Sequence, residues 1–417
     1  MKTFDVIIAG AGPAGLTAAL KLAGSGLSIA MLEKDVFPRE KICGDALSGK
    51  VTSILKRMPD GIFSDFIESV DKLPAMGIRF YSPDMSYVDL PYLASGPEEK
   101  GREISGIPEH APGYLCRRYD FDNFLIRHCR RYRNISIHEN TAIKKVYIEN
   151  GTVTAEAANE TYTARMILGA DGVHSVVRRS LTAYKENKKH ICLGLRAYYE
   201  NVTPGDEQNF AELFFLKELL PCYFWIFSMP GNRFNVGLGM MQSTVTARKI
   251  NLSKVLDEIV KNHPEISSRF KNARMVSPLG AHSLPMHMQP EILSGDNFLM
   301  LGDAASLVDP FLGEGIGNAM ASGEVAADIV RSAFEQNRFD ADFLSRYDQR
   351  IKNRILTDFG YANIVRRLAY SATLINFVVK RASRSKSLHN LLVSMNTDEE
   401  IRKKLASPLF YLGLLFR

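Results

Sequence analysis

The chain has 417 residues, of which 46% are hydrophobic and 24% are charged. This globular composition excludes collagen-like, low-complexity and disulfide-scaffold proteins. The cysteines are scattered without a C-x-x-C pair, so the sequence predicts neither a disulfide framework nor a metal site. No secretory leader and no charge-free apolar run of about 18 residues is evident, and we therefore expect a cytoplasmic protein. The formal net charge of +6 is concentrated in residues 361–417, which hold ten Lys and Arg and three acids.

The N-terminal segment predicts a strand, a helix and a second strand, at residues 4–9, 13–23 and 27–32. This βαβ order is typical of a parallel sheet. Between the first strand and the helix lies a G-x-G-x-x-G motif, formed by Gly10, Gly12, Pro13, Ala14 and Gly15 with Ala11. Its glycines permit a tight turn, close approach of a pyrophosphate and close packing of the helix, which predicts a dinucleotide site.

Glu33 ends the second strand and is followed by Lys34. A carboxylate at this position is placed to accept hydrogen bonds from an adenosine ribose. The motif and its acid do not distinguish FAD from NAD.

Further along the chain, a loop at 35–50 precedes short strands and turns at 76–104, a helix at 119–133 and strands at 135–138, 142–148 and 166–169. From about residue 190 the pattern changes to that of an antiparallel sheet, with strands at 191–199, 210–216, 223–228 and 234–241. A helix is predicted at 252–270 and a further parallel strand at 297–301. From residue 324 onward the pattern is almost entirely helical.

Two later motifs identify the dinucleotide. One contains Asp171 and Gly172, and the other begins at Gly302-Asp303 and continues through Pro310, Gly313, Gly315 and Ile316. Together with the first motif they resemble the FAD-dependent oxidoreductases of the para-hydroxybenzoate hydroxylase superfamily. The resemblance implies non-covalent FAD, with Asp303 on its ribitol and Asp171 and Gly172 supporting the cofactor region.

The segment at 313–317 contains three glycines, and a helix follows it. Backbone without side chains is able to approach a flat ring closely, and a helix N-terminus favours negative charge on that ring. Arg118 begins an Arg-x-x-Phe-Asp-x-x-Leu segment whose family counterpart contacts FAD. Arg117 is one residue away and is an alternative, as is a simply solvated arginine.

Within the superfamily, two segments resemble the geranylgeranyl reductases. The first is Lys41-Ile42-Cys43-Gly44-Asp45, similar to Lys-x-Cys-Gly-Gly, in which Asp45 replaces the second glycine. The second is Tyr223-Phe224-Trp225-Ile226-Phe227, similar to Tyr-x-Trp-x-Phe-Pro-Lys, in which Ser228-Met229 replaces Pro-Lys. Cys43 and Gly44 are thereby placed near the cofactor, and Cys43 is the candidate catalytic residue; its alternative is a small buried side chain.

Tyr223, Trp225 and Phe227 alternate along a strand and therefore share one face. They predict either a substrate wall over the flavin or a face that packs the core of the second domain.

The resemblance implies an α/β (α+β overall) fold with three regions. These are a discontinuous Rossmann-like FAD-binding domain (1–75, 105–189 and 275–335), an inserted antiparallel-sheet substrate domain (76–104 and 190–274) and a helical C-terminal region (336–417). The expected reaction is reduction of a double bond in an apolar, possibly isoprenoid, substrate by hydride from reduced flavin. The alternatives are a flavin monooxygenase or halogenase, and a flavin-binding protein without catalytic activity.

The partners follow from this interpretation. A second G-x-G-x-x-G is absent, so NAD(P)H is expected to act as a transient electron donor or not at all. No nucleic-acid motif accompanies the basic C-terminal region, and no nucleic-acid partner is expected. Basic residues beside apolar helical positions there predict peripheral contact with a membrane.

Overall fold

A computed structural model describes residues 1–92, 111–205, 209–288, 291–394 and 407. The strands of these residues are β1 Lys2–Thr3, β2 Val6–Ala9, β3 Ile29–Leu32, β4 Ala46–Leu47, β5 Leu73–Ala75, β6 Gly77–Tyr81, β7 Tyr87–Pro91, β8 Gly113–Leu115, β9 Ile135–His138, β10 Ile143–Glu149, β11 Thr152–Ala157, β12 Thr161–Ala164, β13 Met166–Gly169, β14 Ile191–Glu200, β15 Ala211–Phe214, β16 Phe224–Met229, β17 Arg233–Met241, β18 Arg274–Met275, β19 Gly280–Pro285, β20 Ser294–Gly295 and β21 Phe298–Met300.

The α-helices are α1 Pro13–Leu22, α2 Gly49–Lys56, α3 Ile62–Ser69, α4 Arg118–Cys129, α5 Val176–Leu181, α6 Gln242–Arg248, α7 Leu252–Asn262, α8 Ile316–Gln336, α9 Ala341–Ile351, α10 Thr357–Leu368, α11 Ala372–Arg384 and α12 Lys386–Ser394. Short 3₁₀ turns lie at Lys188–His190, Ser267–Phe270 and Gly302–Ala305, and a π-helical turn joins α9 to α10 at Lys352–Leu356.

The first domain is built on a six-stranded sheet of order β20-β21-β13-β2-β3-β9. All its pairs are parallel except β20 with β21. Its central strands β2, β3 and β13 are fully buried apolar runs, as expected when helices cover both faces of a parallel sheet. The predicted βαβ unit and the predicted strand at 166–169 are confirmed, and the glycine motif lies at the carboxyl end of β2.

The larger sheet has the order β18-β14-β17-β16-β15-β6-β7, and β19 also pairs with β14. It is antiparallel except for β6 and β15, which run parallel. These two strands come from segments far apart in the sequence, so no hairpin constrains their relative direction. The four strands predicted between 191 and 241 are present.

The helix predicted at 252–270 is shorter than expected. Helix α7 ends at Asn262 because Pro264 disfavours helical backbone at His263. The chain becomes helical again only in the 3₁₀ turn at Ser267–Phe270.

The C-terminal helices α11 and α12 pack on β7, an edge strand of the larger sheet. They contribute Val379, Ala382, Leu388 and Val393 to the apolar cluster that contains Trp225. Within the described residues, no helix is long and apolar enough to cross a membrane. The end of the basic C-terminal region, at 395–406 and 408–417, lies outside the described residues, and so do residues 93–110 of the predicted domains.

Candidate active site

A cavity of about 880 Å³ lies between the carboxyl edge of the six-stranded sheet and one face of the larger sheet. One part of its wall is charged and includes Glu33, Lys34, Arg39, Lys41, Arg118, Asp171, His174 and Asp303. The other part is apolar and includes Ile78, Leu213, Tyr223, Trp225, Phe227, Phe311 and Leu312. The charged part suits a nucleotide, and the apolar part suits a hydrocarbon.

The glycine loop has the geometry that its sequence predicts. Gly10 has φ +96°, and a Cβ there would lie 2.5 Å from the carbonyl oxygen of Ala170. A Cβ on Gly15 would lie 2.1 Å from the carbonyl oxygen of Gly10, so this glycine permits α1 to pack on its loop. Gly12 has no atom within 4 Å of a Cβ position, which leaves open space for a ligand. Gly10, Gly12, Pro13 and Ala14 line the cavity, whereas Gly15 lies behind them.

The carboxylate of Glu33 orders the same loop. Its Oε2 accepts a hydrogen bond from the backbone N–H of Ala11 at 2.8 Å, and its Oε1 accepts one from Asp35 N–H at 3.0 Å. Glu33 lines the cavity beside Lys34. Each carboxylate oxygen has a second lone pair with which to accept a ribose hydroxyl.

The two aspartates of the later motifs also face the cavity. Oδ2 of Asp171 accepts hydrogen bonds from the backbone N–H groups of Val176 and Val177, while Oδ1 is buried without a hydrogen-bond partner. Burial raises the pKa of both Asp171 and Asp303. Buried acceptors rarely lack hydrogen-bond partners, so the unpartnered Oδ1 of Asp171 fits a bound dinucleotide that brings donor groups. The open space at Gly12 fits the same ligand.

Arg118 is buried at the first position of α4 and lines the cavity. Its guanidinium pairs bidentately with the Asp122 carboxylate, with both N···O distances 2.6 Å. Burial opposes the charge of Arg118, but the Asp122 carboxylate outweighs this effect and raises its pKa. Arg117 instead pairs with Glu40 and is not among the lining residues. Arg118 is therefore the better placed of the two candidates, and it is not solvated.

The predicted flavin loop borders the cavity through Gly313, Gly315 and Ile316, the first residue of α8. Gly313 has φ +69°, a left-handed conformation that favours glycine. A Cβ on Gly315 would lie 3.7 Å from Oδ1 of Asp303, so the helix N-terminus and this carboxylate are neighbours. Gly302, Gly172 and Gly44 also line the cavity, and Pro310 is buried outside its wall.

The aromatic residues of β16 and of the position before it take part in two sets of contacts. Tyr223, Trp225 and Phe227 line the cavity, with successive ring centroids 6.2 Å apart. They also belong to the apolar cluster of the larger sheet. The Tyr223 hydroxyl donates to the carbonyl oxygen of Leu312, which ties this wall to the predicted flavin loop.

Cys43 lies in the cavity wall. Burial raises the pKa of its thiol, so the neutral thiol is favoured. Two residues away, the Lys41 ammonium lies 3.0 Å from His282 Nε2. Burial lowers the pKa of Lys41, and burial together with Lys41 lowers that of His282 to about 3. His282 is thus a neutral acceptor for the ammonium group.

The sequence analysis missed several residues around this site, among them Arg39, Tyr198, Arg196, His282 and Asn235. The polar Asn235 and Arg196 stand in otherwise apolar strands, which is a signal of a buried polar role. Asp45 was noted only as a departure from a motif, and its side chain is central to the contacts described below.

Comparison with known proteins assigns this chain to a class. Residues 3–354 match the FAD binding domain family, so the chain belongs to that family of flavoproteins. A digeranylgeranylglycerophospholipid reductase of Thermoplasma acidophilum is 28% identical over 363 residues, which cover 85% of this chain and 84% of the relative.

Solved structures show the same architecture. A geranylgeranyl bacteriochlorophyll reductase-like protein from Thermoplasma acidophilum has a TM-score of 0.77 at 24% identity, covering 97% of this chain and 99% of that one. A single-residue mutant of the halogenase PltM in complex with FAD has a TM-score of 0.70 at 18% identity, covering 98% of this chain and 85% of that one. The predicted class, an FAD-dependent oxidoreductase similar to the geranylgeranyl reductases, is confirmed.

Proposed function

We propose that the protein reduces a carbon–carbon double bond of an apolar isoprenoid lipid. The observation that carries this proposal is the continuity of the cavity, whose charged part holds the FAD motifs and whose apolar part has an aromatic wall. Bound FAD would supply hydride chemistry, for which a hydrocarbon double bond needs a neighbouring dry site. The reductase relative acts, by its name, on a digeranylgeranyl glycerophospholipid.

The chain's own groups would position both molecules. Gly12, Glu33, Asp171, Asp303 and Arg118 would hold FAD through backbone approach, hydroxyl acceptors and positive charge. Tyr223, Trp225 and Phe227 would exclude water from the hydrocarbon. Cys43, a lining residue with a neutral thiol, is the candidate for a group that contacts the reacting carbon.

Anaerobic turnover distinguishes this proposal from the oxygen-dependent alternatives. The holoenzyme, geranylgeraniol and dithionite are incubated without oxygen, and the product is analysed by chromatography. A reductase consumes the substrate under these conditions. A monooxygenase or halogenase requires oxygen and leaves it unchanged, and a non-catalytic flavin carrier leaves it unchanged with or without oxygen.

We propose NAD(P)H as the electron donor and expect it to bind only transiently, because the sequence contains no second dinucleotide motif to hold it. Stopped-flow absorbance of the holoenzyme mixed with NADH or NADPH tests this point. Bleaching of the flavin band supports a nicotinamide donor. Bleaching by dithionite but not by NADH or NADPH contradicts a nicotinamide donor. This outcome does not contradict the proposed reduction of the lipid.

We further propose that the C-terminal helices contact a membrane surface, from which a lipid substrate would be taken. Leu374, Phe377 and Val378 on α11 are only half-buried, and the cations Arg384 and Lys386 near its end are exposed. Cations beside an apolar helical face attract anionic lipid by about 1 kcal/mol each.

Vesicle co-sedimentation tests the membrane contact. Replacing Arg384 and Lys386 with Glu is expected to weaken binding to phosphatidylserine vesicles at low salt. The matched control replaces Arg248 on α6 and Lys254 on α7, two other exposed cations, with Glu and is expected to bind like the unmodified protein. Equal loss in both variants contradicts a specific surface, and no binding by the unmodified protein contradicts membrane contact altogether.

A further inference from the structure

Asp45 has a backbone conformation that favours glycine. Its φ is +65°, in the left-handed region that aspartate adopts only occasionally. The family segment that this loop resembles carries glycine there, which has this conformation without strain. The presence of a carboxylate instead calls for contacts that only a side chain makes.

The Asp45 carboxylate is completely buried and accepts hydrogen bonds from three separate parts of the chain. Oδ2 accepts from the Tyr198 hydroxyl at 2.5 Å and from Asn235 Nδ2 at 2.8 Å, and Oδ1 accepts from the backbone N–H of Arg118 at 3.2 Å. The loop is therefore joined to β14, to β17 and to the first residue of α4.

Asn235 extends these contacts to the substrate wall. Its Nδ2 also donates to the carbonyl oxygen of Cys43 at 2.8 Å, and its Oδ1 accepts the indole N–H of Trp225 at 2.9 Å. The Asn235 side chain is completely buried, so every one of these bonds is shielded from water. A continuous chain of hydrogen bonds thus runs from Tyr198 through Asp45 and Asn235 to Trp225.

Two glycines show how closely the wall and the loop fit. A Cβ on Gly44 would lie 3.3 Å from Cε2 of Phe227 and 4.0 Å from Nε1 of Trp225. A Cβ on Gly237 would lie 2.4 Å from Cζ2 of Trp225, so the indole lies directly over that glycine. The tilt of the indole is consequently set by the space at Gly237 and by its bond to Asn235.

From these contacts we infer that Asp45 is a positioning residue that determines substrate specificity, because it fixes the loop at 43–45 and the Trp225 indole relative to one another. The substrate part of this inference rests on the proposed function. A glycine at position 45 makes none of the side-chain bonds, leaving the Tyr198 hydroxyl and Asn235 amide without their buried acceptor. The Trp225 indole and Cys43 are then no longer held in a fixed position relative to one another.

The test compares Asp45→Gly and Asp45→Asn in the FAD-loaded and FAD-free proteins. Trp225 is the only tryptophan, so its emission reports the wall without any substrate. Asp45→Gly is expected to shift Trp225 emission and raise acrylamide quenching, and to raise KM for geranylgeraniol at least about fivefold, as for an unpaired buried polar group. Asp45→Asn, which keeps an acceptor, is expected to recover most of both effects.

Asn150→Gly is the matched control, since Asn150 also has positive φ, +51°, but lies in a turn far from the cavity. If Asp45→Gly does not fold, Tyr198→Phe removes one donor at nearly constant volume and is expected to give a smaller shift of the same kind. Lower thermal stability with unchanged Trp225 emission and unchanged KM would overturn the inference. Failure of the unmodified enzyme to reduce geranylgeraniol would contradict the proposed function alone, because the emission measurement does not depend on it.

Discussion

The backbone N–H of Ala11 donates a hydrogen bond to Oε2 of Glu33 at 2.8 Å, which joins the glycine loop to the end of β3. The loop is thereby held in its dinucleotide-binding shape by the chain itself. Preorganisation of this kind lowers the cost of binding, because the loop has little freedom left to lose.

The open space at Gly12 predicts that a side chain there displaces the cofactor without unfolding the protein. Gly12→Val places methyl groups where no protein atom lies within 4 Å of the Cβ, so we expect normal folding and loss of bound FAD. Flavin absorbance after gel filtration measures occupancy, and thermal unfolding of the FAD-free proteins checks the fold. Gly360→Ala, in equally open space on α10, is the control with full occupancy. Retained flavin in Gly12→Val would mean that the pyrophosphate lies elsewhere.

Removal of the Asp303 carboxylate should weaken FAD binding. A hydrogen bond to a charged group contributes about 1.5–3 kcal/mol, so Asp303→Ala is expected to raise the Kd for FAD by about tenfold or more. Asp303→Asn keeps an acceptor and should lose less. Titration of the apoproteins with FAD, followed by calorimetry, gives the three dissociation constants. Equal affinities would show that Asp303 does not contact the ribitol.

Trp225 fluorescence should respond to both ligands of the cavity. Because the indole lines the wall 6.2 Å from the Phe227 ring, bound FAD is expected to quench its emission and geranylgeraniol to shift it. Tyr223→Phe leaves the fluorophore unchanged and serves as the control for a general loosening of the wall. Emission that is insensitive to both ligands would place the substrate elsewhere and leave these rings with core packing alone.

His282 predicts a pH dependence of folding stability. Burial and the neighbouring Lys41 lower its pKa from 6.5 to about 3, so the folded protein resists a proton that the unfolded chain accepts. The contribution of His282 to the free energy of unfolding is fully present above pH 6.5 and is lost as the pH falls toward 3. The slope is at most about 1.4 kcal/mol per pH unit.

Urea unfolding at neutral and mildly acidic pH isolates this contribution. His282→Gln retains an acceptor for Lys41 but does not titrate, so it should lose less stability on acidification than the unmodified protein. Other buried histidines, such as His287, titrate in both proteins and cancel in the difference. Parallel stability profiles would show that His282 is already protonated in the folded state or solvated.

The parts of the site that were predictable from sequence are local ones. The glycine loop, the acid at the end of β3 and the shared face of Tyr223, Trp225 and Phe227 follow from backbone rules that act within about 25 residues. The contacts of Asp45 join positions 45, 198 and 235. The parallel pairing of β6 with β15 likewise joins two segments that are far apart in the sequence. No local pattern encodes such pairs, because they form only when the two sheets enclose the cavity. Helix α7 ends early for a local reason, the proline at 264, that the sequence already contained.

The proposed reaction requires the apolar part of the cavity to hold a double bond of the lipid next to the flavin. The most direct measurement is the mass of the lipid recovered after anaerobic incubation of geranylgeraniol with the dithionite-reduced holoenzyme in deuterated water. We expect a product that contains two added deuterium atoms at each reduced double bond, because dithionite supplies only electrons and both added hydrogens derive from the medium. Recovery of unchanged geranylgeraniol from an enzyme whose flavin is fully reduced, or a product that has gained an oxygen or halogen atom when air is admitted, would contradict the proposed reduction.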